Sequence, residues 1–142
     1  MQAFRRYRLG VFVVLLAALT LLSTIQVSAL PPNTPINQVR TFFGGYLVAA
    51  KAHPPNTAQM KRLRQQYITP QANAQLDQWA ATHHADPIFR SQNIPRSGSV
   101  QQGDSGAGHT TVVVTEYFGG GSIKVKYAVR LSDLLISDIE NG

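Results

Sequence analysis

The fold class is decided by residues 109–131, which read HTTVVVTEYFGGGSIKVKYAVRL. The first part of this stretch is rich in Thr, Val and Tyr, residue types that favour β-strands. The glycines at 119–121 then predict a turn, and beyond them apolar and polar side chains alternate, as in a strand with one buried face. The apolar positions of this second strand are Ile123, Val125, Tyr127, Val129 and Leu131. We therefore predict two long antiparallel strands joined by a tight turn, and a last strand over 134–139.

The register of this hairpin depends on the length of its turn. A three-residue loop over 119–121 places Glu116 opposite Lys124, an attractive cross-strand pair. The same register puts Tyr117 on one face with Tyr127, while Glu116 points the other way. The tyrosine face also carries Thr111, Val113 and Thr115. We expect this face to be the inner one, packed on helices, and Glu116 to point outward.

Three helices are predicted before these strands. Each follows a threonine that can cap it, at Thr34, Thr57 and Thr69, and proline comes directly after the first and third of these. Behind each cap, apolar side chains recur at helical spacing. They are Ile36, Val39, Phe43, Tyr46, Leu47 and Ala50, then Met60, Leu63 and Tyr67, then Ala72, Leu76 and Trp79, with His83 next at the same spacing. The order indicates an α+β fold, with three N-terminal helices packed on a curved antiparallel sheet.

The connection between the helices and the hairpin is rich in Pro, Gly, Ser and Gln. Residues 91–108 are predicted to form a loop with one short strand near Val100. Just before this loop, Asp86 precedes a proline and has two interpretations. It is either a turn residue whose carboxylate bonds nearby backbone groups, or a cleft residue that acts together with Gln92.

Residues 1–29 have the organisation of a secretion signal. Arginines at positions 5, 6 and 8 precede an apolar run over 9–22, and the segment ends in the small residues Val27-Ser28-Ala29. The apolar run is shorter than the ~20 residues that span a bilayer. We predict cleavage after Ala29, with a retained membrane anchor as the alternative. The prediction leaves 30–34 as an extended leader and 35–142 as a single α+β domain, located in the periplasm or secreted.

Composition excludes several classes of protein. The chain of 142 residues has no cysteine, which excludes a disulfide scaffold and thiolate chemistry. Its formal net charge of +6 falls to about +3 when the three arginines of the signal are removed. The remaining basic cluster, Lys61 to Arg64, lacks interleaved aromatic residues, so we interpret it as a solvated helix face. We predict no nucleic-acid partner, and membrane contact only through the signal segment if it stays uncleaved.

Metal and cofactor sites are not expected. The most suggestive cluster is His83-His84 with Asp86. Adjacent residues of a helix point about 100° apart, whereas metal-binding histidines on a helix are usually spaced by four positions. We interpret the two histidines as the end of the third helix, where imidazoles meet the negative end of the helix dipole.

Four segments resemble a family of bacterial periplasmic proteins and lipoproteins. They are Phe42-Phe43-x-x-Tyr46-Leu47, Tyr67-Ile68-Thr69-Pro70, Ala85-Asp86-Pro87-Ile88-Phe89-x-x-Gln92 and Leu135-Ile136-Ser137-Asp138-Ile139. That family is a domain of unknown function within the nuclear-transport-factor-two-like group, whose curved sheet wraps around helices as a cone. The resemblance implies the fold and the compartment, and no activity. Lipid anchoring is not implied, because the chain lacks the lipobox cysteine of the lipid-anchored members.

The expected inner face offers tyrosine hydroxyls and no carboxylate. We therefore expect a non-catalytic module that binds a small ligand or an envelope protein at the mouth of the cone. The candidate cleft residues are Tyr127, Tyr117, Trp79, Asp86 and Gln92. Two alternatives stay open: a small hydrolase or isomerase that uses a pocket in the cone, and an envelope accessory or immunity-like protein. An acidic or histidine side chain inside the cone would favour the enzyme, and an exposed apolar patch would favour the partner binder.

Overall fold

The computed structural model describes residues 33–142, in which three helices precede four strands. The elements are α1 (Pro35–Lys51), α2 (Thr57–Tyr67), α3 (Pro70–His83), β1 (Ser97–Gly106), β2 (His109–Phe118), β3 (Gly121–Arg130) and β4 (Ile136–Asn141). The strands form one curved antiparallel sheet in chain order, which confirms the α+β class. The predicted signal over 1–29 and most of the predicted leader over 30–34 lie outside the described residues. No helix within 33–142 has the length and apolar character needed to cross a membrane.

The helix caps follow the sequence signals, with one shift. Thr34 Oγ1 accepts a hydrogen bond from the Asn37 N–H at 3.4 Å, and Thr69 caps α3 in the same way. At α2, however, Asn56 is the cap, and its Oδ1 accepts from the backbone N–H three residues on at 3.0 Å. The prediction of Thr57 was wrong by one residue because asparagine caps at least as well as threonine and precedes it.

The segment predicted as a loop contains a full strand. Residues 97–106 form β1, which pairs with β2 from Ser97 opposite Tyr117 to Gly106 opposite His109, with an irregularity between Gln102 and Ser105. Its sequence SGSVQQGDSG has little strand propensity. The strand forms because the backbone of β2 offers a long row of hydrogen-bonding groups, and tertiary context of this kind overrides weak local propensity.

The hairpin register differs from the prediction by one residue. The β2–β3 turn contains two residues, Gly119 and Gly120, because Phe118 pairs with Gly121. Glu116 therefore lies opposite Ile123, and the partner of Lys124 is Thr115. Two-residue turns are the commonest hairpin connections, and burying valines stabilises far more than an exposed ion pair.

The shift exchanges the two faces of β2. Its inner face carries Thr110, Val112, Val114 and Glu116, all buried, and the predicted inner residues Thr111, Val113, Thr115 and Tyr117 lie on the outer face. On β3 the predicted inner positions Val125, Tyr127 and Val129 are correct. The expectation that Glu116 points outward was wrong.

The last strand begins later than predicted and is covered at its outer edge. Leu134 has a left-handed φ of 60° in the turn after β3, so β4 starts at Ile136 instead of Leu134. The residues between α2 and α3 then cover the free edge of β4, since the Thr69 N–H donates to the Ile136 carbonyl at 2.9 Å. The first strand, β1, forms the other edge of the sheet.

The core lies between the helices and the inner face of the sheet. Helix α1 packs against β1, β2 and β3, and α3 packs against β4. The largest fully buried apolar side chains of the core are Tyr127, Phe42, Phe89, Ile68, Ile88 and Ile136. Two of these, Ile88 and Phe89, belong to residues 86–95, which we call the cover segment because it lies between α3 and β1 in the chain and seals the core from one side.

Candidate functional site

Glu116 is a buried acid without a partner. Its side chain is 0 % exposed, and neither carboxyl oxygen has a hydrogen-bond donor within the described part of the chain. On the sheet it is flanked by Gly98 of β1 and Ile123 of β3. Burial raises the pKa of Glu116 from 4.5 to about 8, and the nearby Asp86 carboxylate adds to this rise. The carboxyl is therefore mostly neutral at pH 7.

Asp86 joins the cover segment to α1. One carboxylate oxygen, Oδ1, accepts hydrogen bonds from the N–H groups of Ile88 at 2.8 Å and Phe89 at 3.0 Å. The other, Oδ2, accepts from the Tyr46 hydroxyl at 2.9 Å. Burial and the Asp86 charge both raise the pKa of Tyr46 well above its usual range. The turn interpretation of Asp86 is confirmed, and the same carboxylate also holds the turn against the first helix.

Tyr127 completes a group of four polar side chains in the core. Its ring is 0 % exposed, and its hydroxyl donates to the Ile88 carbonyl at 3.3 Å. Burial, followed by the Glu116 and Asp86 carboxyls, raises the pKa of Tyr127. We call Tyr46, Asp86, Glu116 and Tyr127 the buried acid cluster. Its members come from α1, the cover segment, β2 and β3, and so they meet only in the folded chain.

The largest of the clefts described here lies between α2 and α3 and shares one residue, Tyr46, with this cluster. It has a volume of about 640 Å³, and Tyr46 is one of its lining residues. The lining also includes Thr57, Met60, Lys61, Arg64, Gln65, Ile68, Pro70, Asn73 and Asp77. We call it the helix cleft. Tyr46 thus links the cleft to Asp86, which lies behind it.

The charges of the helix cleft differ in how they are paired. Arg64 donates to Asp77 Oδ1 at 2.7 Å and to the side chain of Asn73 at 3.0 Å, and its own side chain is 18 % exposed. Lys61 is exposed and has neither an ion pair nor a hydrogen bond within residues 33–142. The cleft therefore combines an apolar floor with one unpaired positive charge at its rim.

A smaller cleft of about 320 Å³ lies beside Trp79. The Arg90 guanidinium carbon is 4.1 Å from the centre of the indole ring. The His83 ring stacks on the same indole, with the ring centres 4.2 Å apart. Arg90 also donates to Asn141 Oδ1 at 3.2 Å. Burial lowers the pKa of Arg90 from its ordinary value, an effect that the Asp138 charge partly offsets. Arg90 belongs to the cover segment, and so the indole contacts the middle of that segment.

The structure separates the five residues that the sequence placed in one cleft. Asp86 and Tyr127 come together at Ile88, and Trp79 contacts Arg90 of the same segment. Gln92 is exposed on the cover segment. Tyr117, on the outer face, is 43 % exposed, and its hydroxyl lies 3.2 Å from Ser99 Oγ.

The two histidines considered as metal ligands, His83 and His84, make separate local contacts. His83 Nδ1 lies 2.8 Å from the Trp79 carbonyl, and His84 ends α3 in a left-handed conformation. No group of three or more His, Asp or Glu side chains suited to a metal ion occurs within residues 33–142.

The sequence-based prediction missed the burial of Glu116 because it favoured the register that pairs Glu116 with Lys124. The signal that would have found it is the preference of hairpins for two-residue turns, which places Glu116 in phase with Val112 and Val114. The hydrogen bond from the Tyr46 hydroxyl to Asp86 was not predicted either, since the helical spacing of Tyr46 indicated only a core position.

Comparison with known proteins supports the fold and assigns no family or activity. No family model and no curated protein matches the chain. Among solved structures, the chain is similar to a protein of unknown function from Bacteroides thetaiotaomicron, with 19 % sequence identity and a TM-score of 0.61. The alignment covers 75 % of this chain and 88 % of that one. An uncharacterised protein therefore shares this arrangement of helices and sheet.

Proposed function

We propose that the chain is an exported, non-catalytic binding domain with a nuclear-transport-factor-two-like cone fold. The basic, apolar and small-residue order of residues 1–29 supports export to the periplasm or the medium. The order of three helices and a curved antiparallel sheet supports the cone. An envelope accessory or immunity-like protein is a form of the same proposal, in which a protein segment is bound in place of a small molecule.

The observation that carries the proposal is the helix cleft. Its volume of about 640 Å³ exceeds those of the clefts beside Trp79, His53 and Lys124, at about 320, 440 and 500 Å³. Ligand sites are mostly apolar clefts of roughly 300–1,000 Å³ with a few polar groups that orient the ligand. The inner face of the sheet, by contrast, is occupied by fully buried side chains such as Tyr127 and Val125. We therefore place the ligand between the helices and not inside the cone.

The lining indicates the class of ligand. Met60, Ile68 and Pro70 supply an apolar surface, and Lys61 supplies a positive charge that forms no ion pair within residues 33–142. Arg64 is already held by Asp77, which makes it a rigid donor at the wall of the cleft. A small amphipathic molecule with an apolar body and one acidic group fits this arrangement.

Titration with 1-anilinonaphthalene-8-sulfonate tests the proposal, because this probe has an apolar aromatic body and one sulfonate. We expect saturable binding with an increase in probe fluorescence. The Lys61→Gln variant should bind several-fold more weakly, since it loses the charge that faces the sulfonate. Lys126→Gln, on the exposed outer face of the sheet, is the matched control and should bind as the unmodified chain does. Equal weakening by both substitutions, or by neither, would contradict a site in the helix cleft.

One observation favours the second candidate, a small hydrolase or isomerase. Glu116 is an acid inside the cone, with a pKa near the range in which general acids work. It is closed to solvent, so it can touch a substrate only if a neighbouring part of the core moves. Turnover of p-nitrophenyl acetate that Glu116→Gln abolishes, and that Glu140→Gln on exposed β4 leaves unchanged, would favour the enzyme over the binding domain.

A further inference from the structure

Neither acid of the buried acid cluster forms an ion pair within the described part of the chain. Glu116 and Asp86 interact electrostatically, yet the ion pairs found within residues 33–142 are Arg64–Asp77 and Arg130–Asp133. Among the same residues, no donor forms a hydrogen bond with the Glu116 carboxyl either. A buried carboxyl without a partner is costly, and native proteins retain such groups mainly where they serve a purpose.

Aromatic side chains lie close to both acids, because the Tyr46 hydroxyl bonds Asp86 and the Phe43 ring lies against Gly98, the residue opposite Glu116. Gly98 lies directly opposite Glu116 on the inner face, and a Cβ at Gly98 would come within 2.5 Å of the Phe43 ring. The Phe43 ring therefore occupies the space that a side chain beside Glu116 would take. Phe89 packs edge-on against Phe43 and Tyr46, with ring centres 6.0 and 5.3 Å apart. Acids among aromatic rings form the environment in which proteins bind organic cations.

Phe89 reaches this environment from the cover segment. The segment is held to the rest of the core by side-chain bonds, from Tyr46 to Asp86 and from Tyr127 to the Ile88 carbonyl. None of its residues belongs to the four-stranded sheet. In the middle of the segment, Arg90 has a left-handed φ of 50° and contacts Trp79. Movement of this segment would carry Asp86 and Phe89 away from Glu116 without breaking a strand ladder.

We propose that the cover segment closes a second binding site, whose ligand is a small organic cation with an apolar ring. The ring would take the place of Phe89, and the ammonium group would pair with Glu116 beside Asp86. Binding would release the proton that Glu116 carries in the closed chain, so affinity should increase from about pH 6 to about pH 8. This site differs from the helix cleft in position and in the sign of its ligand, and each proposal can fail alone.

Benzylamine is the probe, and benzyl alcohol is its neutral match in shape. In Phe89→Ala, where the space of the ring is vacated, we expect benzylamine to bind at least about tenfold more tightly than benzyl alcohol. The double variant Phe89→Ala/Glu116→Gln should lose this preference. Phe89→Ala/Glu140→Gln, which removes an exposed acid of the same type, should keep it. Equal affinity for the two compounds in Phe89→Ala, or a preference that survives Glu116→Gln, would overturn the proposal.

The unmodified chain provides a test that does not require a cavity variant to fold. Trp79 is the single tryptophan and contacts Arg90 of the cover segment, so its fluorescence reports movement of that segment. We expect benzylamine to change this fluorescence saturably, with weaker affinity than in Phe89→Ala, and benzyl alcohol to leave it unchanged. No response in the unmodified chain, or the same response in Glu116→Gln, would overturn the movement that the proposal requires.

Discussion

Glu116 lies on the inner face of β2 between Gly98 and Ile123, and its carboxyl is closed to solvent. Burial disfavours the charged form of this carboxyl and raises its pKa. In the unfolded chain the same carboxyl is hydrated and ionises readily. The difference makes the stability of the whole fold depend on pH through this single residue.

We expect Glu116→Gln to flatten the pH dependence of stability. The folded-state pKa of about 8 lies above the ordinary value of 4.5, so the unfolded chain loses this proton first as the pH rises. Stability from Glu116 is therefore fully present below about pH 4.5 and is lost up to about pH 8, at no more than about 1.4 kcal/mol per pH unit. Urea unfolding of both proteins near pH 5 and near pH 8 measures the effect. Glu140→Gln should change little, and identical slopes for Glu116→Gln and the unmodified chain would contradict the buried acid.

Gly98 and Gly44 should respond oppositely to alanine. A methyl group at Gly98 would meet the Phe43 ring at 2.5 and 2.8 Å, so we expect Gly98→Ala to lower the free energy of unfolding by about 1–3 kcal/mol. At Gly44, inside α1, nothing lies within 4 Å of the added atom, and alanine should stabilise the helix by about 0.5–1 kcal/mol. Thermal unfolding of the two variants gives both values. A neutral Gly98→Ala would show that Phe43 does not pack beside Glu116.

At the scale of elements, the cover segment connects α3 to β1 and carries Phe89 into the core. Its attachment depends on hydroxyl groups that come from other elements, Tyr46 on α1 and Tyr127 on β3. Each hydroxyl satisfies a polar group of the segment, and each pairing is worth about 1 kcal/mol. The segment therefore has fewer backbone constraints than the strands it covers, which fits a part of the molecule that opens locally.

Tyr127→Phe should loosen this attachment without changing the helix cleft. The substitution removes the bond to the Ile88 carbonyl and almost no volume, so we expect a loss of about 1–2 kcal/mol in unfolding free energy. Amide hydrogen exchange should rise in residues 86–95 more than in β2. Binding of 1-anilinonaphthalene-8-sulfonate should stay unchanged, because Tyr127 does not line the helix cleft. Weaker probe binding with unchanged exchange would instead place Tyr127 at a ligand site.

At the scale of the whole molecule, export remains a prediction from residues 1–29. The chain made in a bacterial host should appear in the periplasm or the medium with Leu30 as its first residue, because a signal peptidase reads the small residues that end at Ala29. Cell fractionation followed by N-terminal sequencing and intact mass measures this directly. A chain that still begins at Met1 and sediments with the membrane would contradict cleavage and support a retained anchor.

Much of the fold was predictable because its signals are local. The threonines before α1 and α3 and the alternation along β3 each depend on residues a few positions apart, and the structure confirms them. The candidate site was far less predictable. Tyr127 and Asp86 do approach each other, but through the Ile88 carbonyl and a turn, and Tyr117 lies on the opposite face. Which side chains converge depends on register and packing, which local patterns do not contain.

By itself, the sequence determined the helix positions, the long β2–β3 hairpin and the α+β class, since periodicity and capping act over a few residues. Only the tertiary structure decided that residues 97–106 form a strand and that Glu116 faces inward. A slip of one residue keeps every strand pattern intact and exchanges its two faces. The observed register is favoured because it buries Val112 and Val114 in the core. Glu116 lies on the same face of β2 and is therefore buried as well.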